Sequence, residues 1–60
     1  MAGTFHVKKN TGGHYYFNLV AANGEVVATS QAYSSKSAAV QGTTAVQHAA
    51  ADATVVEDDD

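Results

Sequence analysis

Three histidines, His6, His14 and His48, are the first residues whose type invites chemistry, because neutral imidazole is a common metal ligand. Their spacing matches no common zinc pattern, and the chain has no cysteine to supply a thiolate. His6 and His14 flank one turn and could become cross-strand neighbours; His48 falls elsewhere. The expectation is exposed or locally hydrogen-bonded histidines, with no metal and no cofactor. Ser34-Ser35-Lys36 superficially suggests a serine nucleophile beside a lysine, but the Ser-x-x-Lys spacing is not formed. Helix capping explains these serines better, since a serine hydroxyl accepts from a free N–H of a first helical turn. Asn10-Thr11-Gly12-Gly13 offers backbone N–H groups to an anion, yet it lacks the phosphate-loop pattern and no helix follows it. It reads as a plain turn. Tyr16 and Tyr33, with nearby lysine, could stack bases or small aromatic ligands. The same tyrosines suit a subunit interface, where tyrosine is enriched. No catalytic residues are assigned, and the chain is read as a non-enzyme.

The elements that must hold these residues centre on residues 14–33, two strands folded back at Asn23-Gly24. Asn-Gly is a strong hairpin signal, because a two-residue type I′ turn needs positive φ at both central positions. That register sets Ala22 opposite Glu25, Ala21 opposite Val26, Leu19 opposite Ala28, Phe17 opposite Ser30 and Tyr15 opposite Ala32. Alternation then puts Tyr15, Phe17, Leu19, Ala21, Val26, Ala28, Ser30 and Ala32 on one face, taken as the core face. Tyr16, Asn18, Val20, Val27, Thr29, Gln31 and Tyr33 share the other, which is more apolar than a solvated face should be. Residues 4–8 alternate polar and apolar, giving a half-buried first strand with Phe5 and Val7 inward. Met1 to Gly3 should be loose. After the third strand, Ser34 or Ser35 opens a helix from Lys36 to Ala50 or Ala51. Its inward stripe is Ala39, Gly42, Thr43, Val46, Ala49 and Ala50. Gly42 costs about 1 kcal/mol relative to alanine within a helix, which close packing on the sheet would offset. Residues 54–57 are β-branched and apolar at their centre, and predict a short fourth strand at an edge or on another chain. The fold class is α+β, in the order β-β-β-α-β: an antiparallel meander with one helix on one face. One domain covers residues 1–57, and 58–60 form an acidic tail.

Size and composition bound the function. Sixty residues bury a small share of their surface, and the 45% hydrophobic fraction includes twelve alanines but one leucine and no isoleucine or tryptophan. Without disulfides or thiolate metal sites, the remaining common route to stability is self-association, so a homodimer is predicted. The net charge of −3, with no arginine, argues against binding a phosphate backbone as the main activity. No signal peptide or membrane-length apolar run is present in the sequence, which with the lack of cysteine suits a cytoplasmic protein.

The pattern also resembles a known family, the YegP-like small proteins, or domain-of-unknown-function family 1508. The resemblance rests on Phe5 with Lys8, the turn at Asn10-Thr11-Gly12-Gly13, and Tyr15-x-Phe17-x-Leu19-x-Ala21-Ala22-Asn23-Gly24-Glu25. It continues through Val27-Ala28-Thr29-Ser30, Tyr33-Ser34-Ser35-Lys36, Ala39, Gly42, Val46 and Asp52-Ala53-x-Val55-Val56. It departs in the helix, which is richer in alanine and threonine, and in a helix exit without proline. The resemblance implies one copy of the unit, or two in tandem, so that a single-copy chain dimerises, with its terminal strand either in its own sheet or paired with the other chain. It supplies no catalytic residues. The sequence therefore predicts a small homodimeric interaction module with an unknown partner, its candidate surface Tyr16, Asn18, Val20, Val27, Tyr33, Val55 and Val56. The alternative is a weak binder of single-stranded nucleic acid or a small ligand through the sheet-face tyrosines.

Overall fold

The computed structural model describes residues 2–59. Met1, expected to be loose, and Asp60, the last residue of the acidic tail, lie outside the described residues. Strands β1 (Thr4–Lys9), β2 (Tyr15–Val20) and β3 (Val26–Thr29) precede a single helix, α1 (Lys36–Ala51). The strands form one antiparallel sheet in the order β1-β2-β3. This is the α+β meander with a helix that the sequence predicts.

The first hairpin follows directly from its residues. β1 pairs with β2 from Thr4–Val20 through Lys9–Tyr15. Asn10 Oδ1 accepts from the Gly12 and His14 amides at 2.9 and 3.0 Å, and Gly13 takes φ +81°. The loop's conformation is thus set by an asparagine side chain and one left-handed glycine.

The second hairpin departs from the type I′ expectation. Among the described residues, no non-glycine residue has positive φ; Gly24 alone in this turn does, at +90°. The Gly24 amide donates to the Ala21 carbonyl at 2.9 Å, and the Ala21 amide donates to Glu25 at 2.8 Å. Asn23 Oδ1 accepts from the Glu25 amide at 3.1 Å. The loop is therefore three residues, a turn closed by a left-handed glycine, and Ala21 faces Glu25. Near the turn the register is offset by one: Val20 pairs with Val26, so Val26 leaves the core-face position opposite Ala21. A bulge between Leu19 and Val20 absorbs the offset by placing an extra residue, Val27, on β3, and Leu19–Ala28 and Asn18–Thr29 pair as expected.

A second slip follows β3. The Ser30 amide donates to the Phe17 carbonyl, while Ser30 Oγ accepts from the Phe17 amide at 2.9 Å and donates to the Gln31 carbonyl at 2.7 Å. The side chain replaces one ladder bond, and the chain gains a residue before pairing again. Tyr15 then bridges Tyr33 through two backbone bonds, not Ala32.

Helix α1 starts at an N-cap serine: Ser35 Oγ accepts from the Ala38 amide at 3.0 Å. It packs over β1 and β2 and leaves β3 bare. Phe17 and Ala39 are the core, with Phe5 edge-on to Phe17 at 5.5 Å. Gly42 lies over Tyr33 and Phe17; a β-carbon there would stand 2.5 Å from Tyr33 Oη. The expected small-residue stripe is partly met, since Ala39 is buried and Gly42 and Thr43 half-buried, but Val46, Ala49 and Ala50 are exposed. Residues 54–57 form no strand in the single chain; they are irregular, with Val55 90% and Val56 70% exposed. The fourth strand predicted at 54–57 is therefore not formed: these residues pair with no strand of the sheet β1-β2-β3.

Candidate interaction surface

The outer face of the sheet carries Lys8 opposite Tyr16, His6 opposite Asn18 and Thr4 opposite Val20. Tyr16, Asn18 and Val20 are half-buried there. Asn18 Oδ1 accepts from Thr29 Oγ1 at 2.8 Å, so the polar centre of this face is already satisfied. Val26 and Val27, at 52% and 56% exposure, stand bare on β3, an edge strand. Tyr16, Asn18, Val20 and Val27 are therefore gathered on β2 and β3.

Tyr33 is not among them. The slip after Ser30 turns it to the helix side, where its ring stacks on Phe17 at 6.1 Å and 17°. Half-buried, it packs against the core, and the two-tyrosine platform expected on the outer face is not formed. Val55 and Val56 lie beyond α1, outside every strand and largely exposed.

The inner face holds what sequence reasoning missed. A cleft of about 310 Å³ opens between the C-terminal half of α1 and the bare side of the sheet. Phe5, Leu19, Ala28 and Val46 give its apolar walls, and Thr29, Ser30 and Gln31 its rim. Its signal was the exposed half of the helical stripe, since a stripe reaching Ala50 needs more sheet than three short strands provide.

His6 lies opposite Asn18 and not His14, and two of the other residues that invited chemistry are used structurally. Ser35 caps α1, and the Asn10 carboxamide occupies two of the amides an anion would need in the first loop. Among the described residues, no three metal-ligand side chains come together. Among the described residues, no helix is long and apolar enough to cross a membrane.

These features define a class, a three-stranded meander with one helix and an uncovered edge. The chain belongs to the family described as Domain of unknown function (DUF1508), whose model matches residues 7–57. A UPF0339 protein of Treponema denticola is 44% identical over 57 residues, covering 95% of this chain and 98% of that protein. A UPF0339 protein of Pseudomonas aeruginosa is 47% identical over 47 residues, 78% of this chain but 43% of the relative. UPF0339 protein YegP of Yersinia pestis is 44% identical over 45 residues, 75% of this chain and 40% of the relative. The chain thus spans less than half the length of these last two. An NMR solution structure of a protein from Haloferax volcanii shares the fold, with a TM-score of 0.82 and 34% identity, covering 95% of this chain and 97% of that one.

Proposed function

We propose that this chain is a non-catalytic homodimeric module that presents a composite surface to another macromolecule. The observation carrying the reading is surface left uncovered. The chain exposes 4690 Å², where a folded monomer of its mass is expected to expose about 3,700 Å². The excess, about 1,000 Å², is close to one partner's share of a standard interface, about 800 Å². It includes features a second copy would cover: the β3 edge with Val26 and Val27, the cleft beside Val46, and Val55-Val56. Relatives of which the matched stretch makes up 43% and 40% are consistent with two such units in one chain. In this reading residues 54–57 gain strand pairing from the partner's sheet. A reducing compartment such as the cytoplasm suits a chain that uses no cysteine, and forms part of the same proposal.

Amide hydrogen exchange tests the assembly. In concentrated protein, amides of residues 26–29 and 54–56 that lack a bond within one chain should exchange slowly, and dilution should release them. Fast exchange at every concentration would remove the basis for the dimer.

A further inference from the structure

We propose that Asn23-Gly24 is a deamidation site gated by its own hairpin: the closed turn preserves the carboxamide, and opening commits it to aspartyl and isoaspartyl products. The chain has three asparagines, followed by Thr11, Leu19 and Gly24. Only Gly24 lacks a side chain to shield its backbone nitrogen, and the space around it is open, with nothing within 4 Å of an added Cβ. In the reaction the Gly24 amide loses its proton to base, and its nitrogen attacks Asn23 Cγ. The N–Cγ bond forms, the Cγ–Nδ2 bond breaks and ammonia leaves. Water then opens the cyclic imide at either carbonyl, giving aspartate or isoaspartate. One water enters, one ammonia departs, and nothing is oxidised or reduced.

The closed turn opposes the first step. The attacking nitrogen keeps its proton in a 2.9 Å bond to the Ala21 carbonyl. The Asn23 carboxamide is turned to the next amide along, with Oδ1 accepting from Glu25 at 3.1 Å. That second bond alone would make Cγ more electrophilic, but a nitrogen that retains its proton is a poor nucleophile, so the first bond decides the outcome. Opening the hairpin releases both bonds at once. The isoaspartyl product adds a methylene to the backbone of a three-residue loop and moves Gly24 away from Ala21. The change therefore records past opening and prevents the same turn from re-forming.

The test incubates the full chain at mildly alkaline pH beside a peptide of residues 20–28. Peptide mapping follows the –NH₂ to –OH mass change and the isoaspartyl content at position 23. The folded chain should react at least roughly tenfold more slowly than the peptide, the factor that about 1.4 kcal/mol of opening free energy supplies. Urea below the global transition should raise its rate in step with exchange of the Gly24 amide. A folded-chain rate equal to the peptide's would overturn the gate. Formation of aspartate with no isoaspartate would overturn the cyclic route.

Discussion

A β-carbon at position 42 would stand 2.5 Å from Tyr33 Oη, 2.9 Å from Cζ and 3.0 Å from Phe17 Cε2. Gly42 is thus a point of close approach between the helix and the rings of Tyr33 and Phe17, and its poor helix propensity is offset by that approach. Alanine there gains about 1 kcal/mol of helix propensity and loses about 1–3 kcal/mol to overpacking. Gly42→Ala should therefore destabilise by about 1 kcal/mol, lowering Tm by roughly 4–8 °C in a domain this small. Tyr33→Phe alone should stay within about 0.5 kcal/mol, because no hydrogen bond to the hydroxyl is present among the described residues. Combined with Gly42→Ala it should recover part of the loss, by removing the nearest clashing atom. Thermal melts of the two single variants and the double variant read this coupling. The packing role of Gly42 was legible in the sequence as a helix-breaking residue on an otherwise small inward stripe. The role of Tyr33 was not. Its face was counted by strict alternation from Phe17, and a single residue gained after Ser30 reverses that count.

At the scale of elements, the sequence specified order and bounds more firmly than register. α1 begins at Lys36 with Ser35 as its cap, and the first loop closes on Asn10 and Gly13 as their types demand. Ser35→Ala should cost about 1 kcal/mol through the lost bond to the Ala38 amide, measured by denaturant unfolding. In the second hairpin two departures cancel. Asn23 keeps negative φ because its side chain is satisfied by the Glu25 amide, which lengthens the loop by one residue. Val27 then enters β3 as an extra residue, and Leu19 meets Ala28 as expected. Local propensity allows asparagine either sign of φ, so turn type was decided by hydrogen bonds that a residue pattern does not reveal. In this turn Gly24 alone takes the left-handed region, at φ +90°. Gly24→Ala should therefore destabilise by about 1–2 kcal/mol, whereas Asn23→Asp, which keeps an oxygen for the Glu25 amide, should be much milder. Chemical unfolding of both variants checks the difference.

Across the whole molecule, a radius of gyration of 13.0 Å exceeds the value of about 10 Å expected for sixty compact residues. Two buried residues, Phe17 and Ala39, are a small core for any domain. In the proposed dimer the exposed valines at 26, 27, 46, 55 and 56 are the surface a second copy would cover. The fourth strand predicted at 54–57 is the clearest case of a pattern legible in the sequence without a partner in one chain: β-branched residues were evident, but strand pairing depends on what lies alongside. Val55→Asp with Val56→Asp should leave the fold of one chain intact and weaken association by at least tenfold, about 1.4 kcal/mol, because two apolar side chains lose their burial. Sedimentation of this variant beside the parent chain checks that effect. The most direct measurement is solution mass by light scattering over a dilution series. Our account predicts twice the 6.2 kDa chain mass, held into the low micromolar range expected of an interface near 1,000 Å² per chain. A single-chain mass at every concentration, in protein that remains folded, would contradict it.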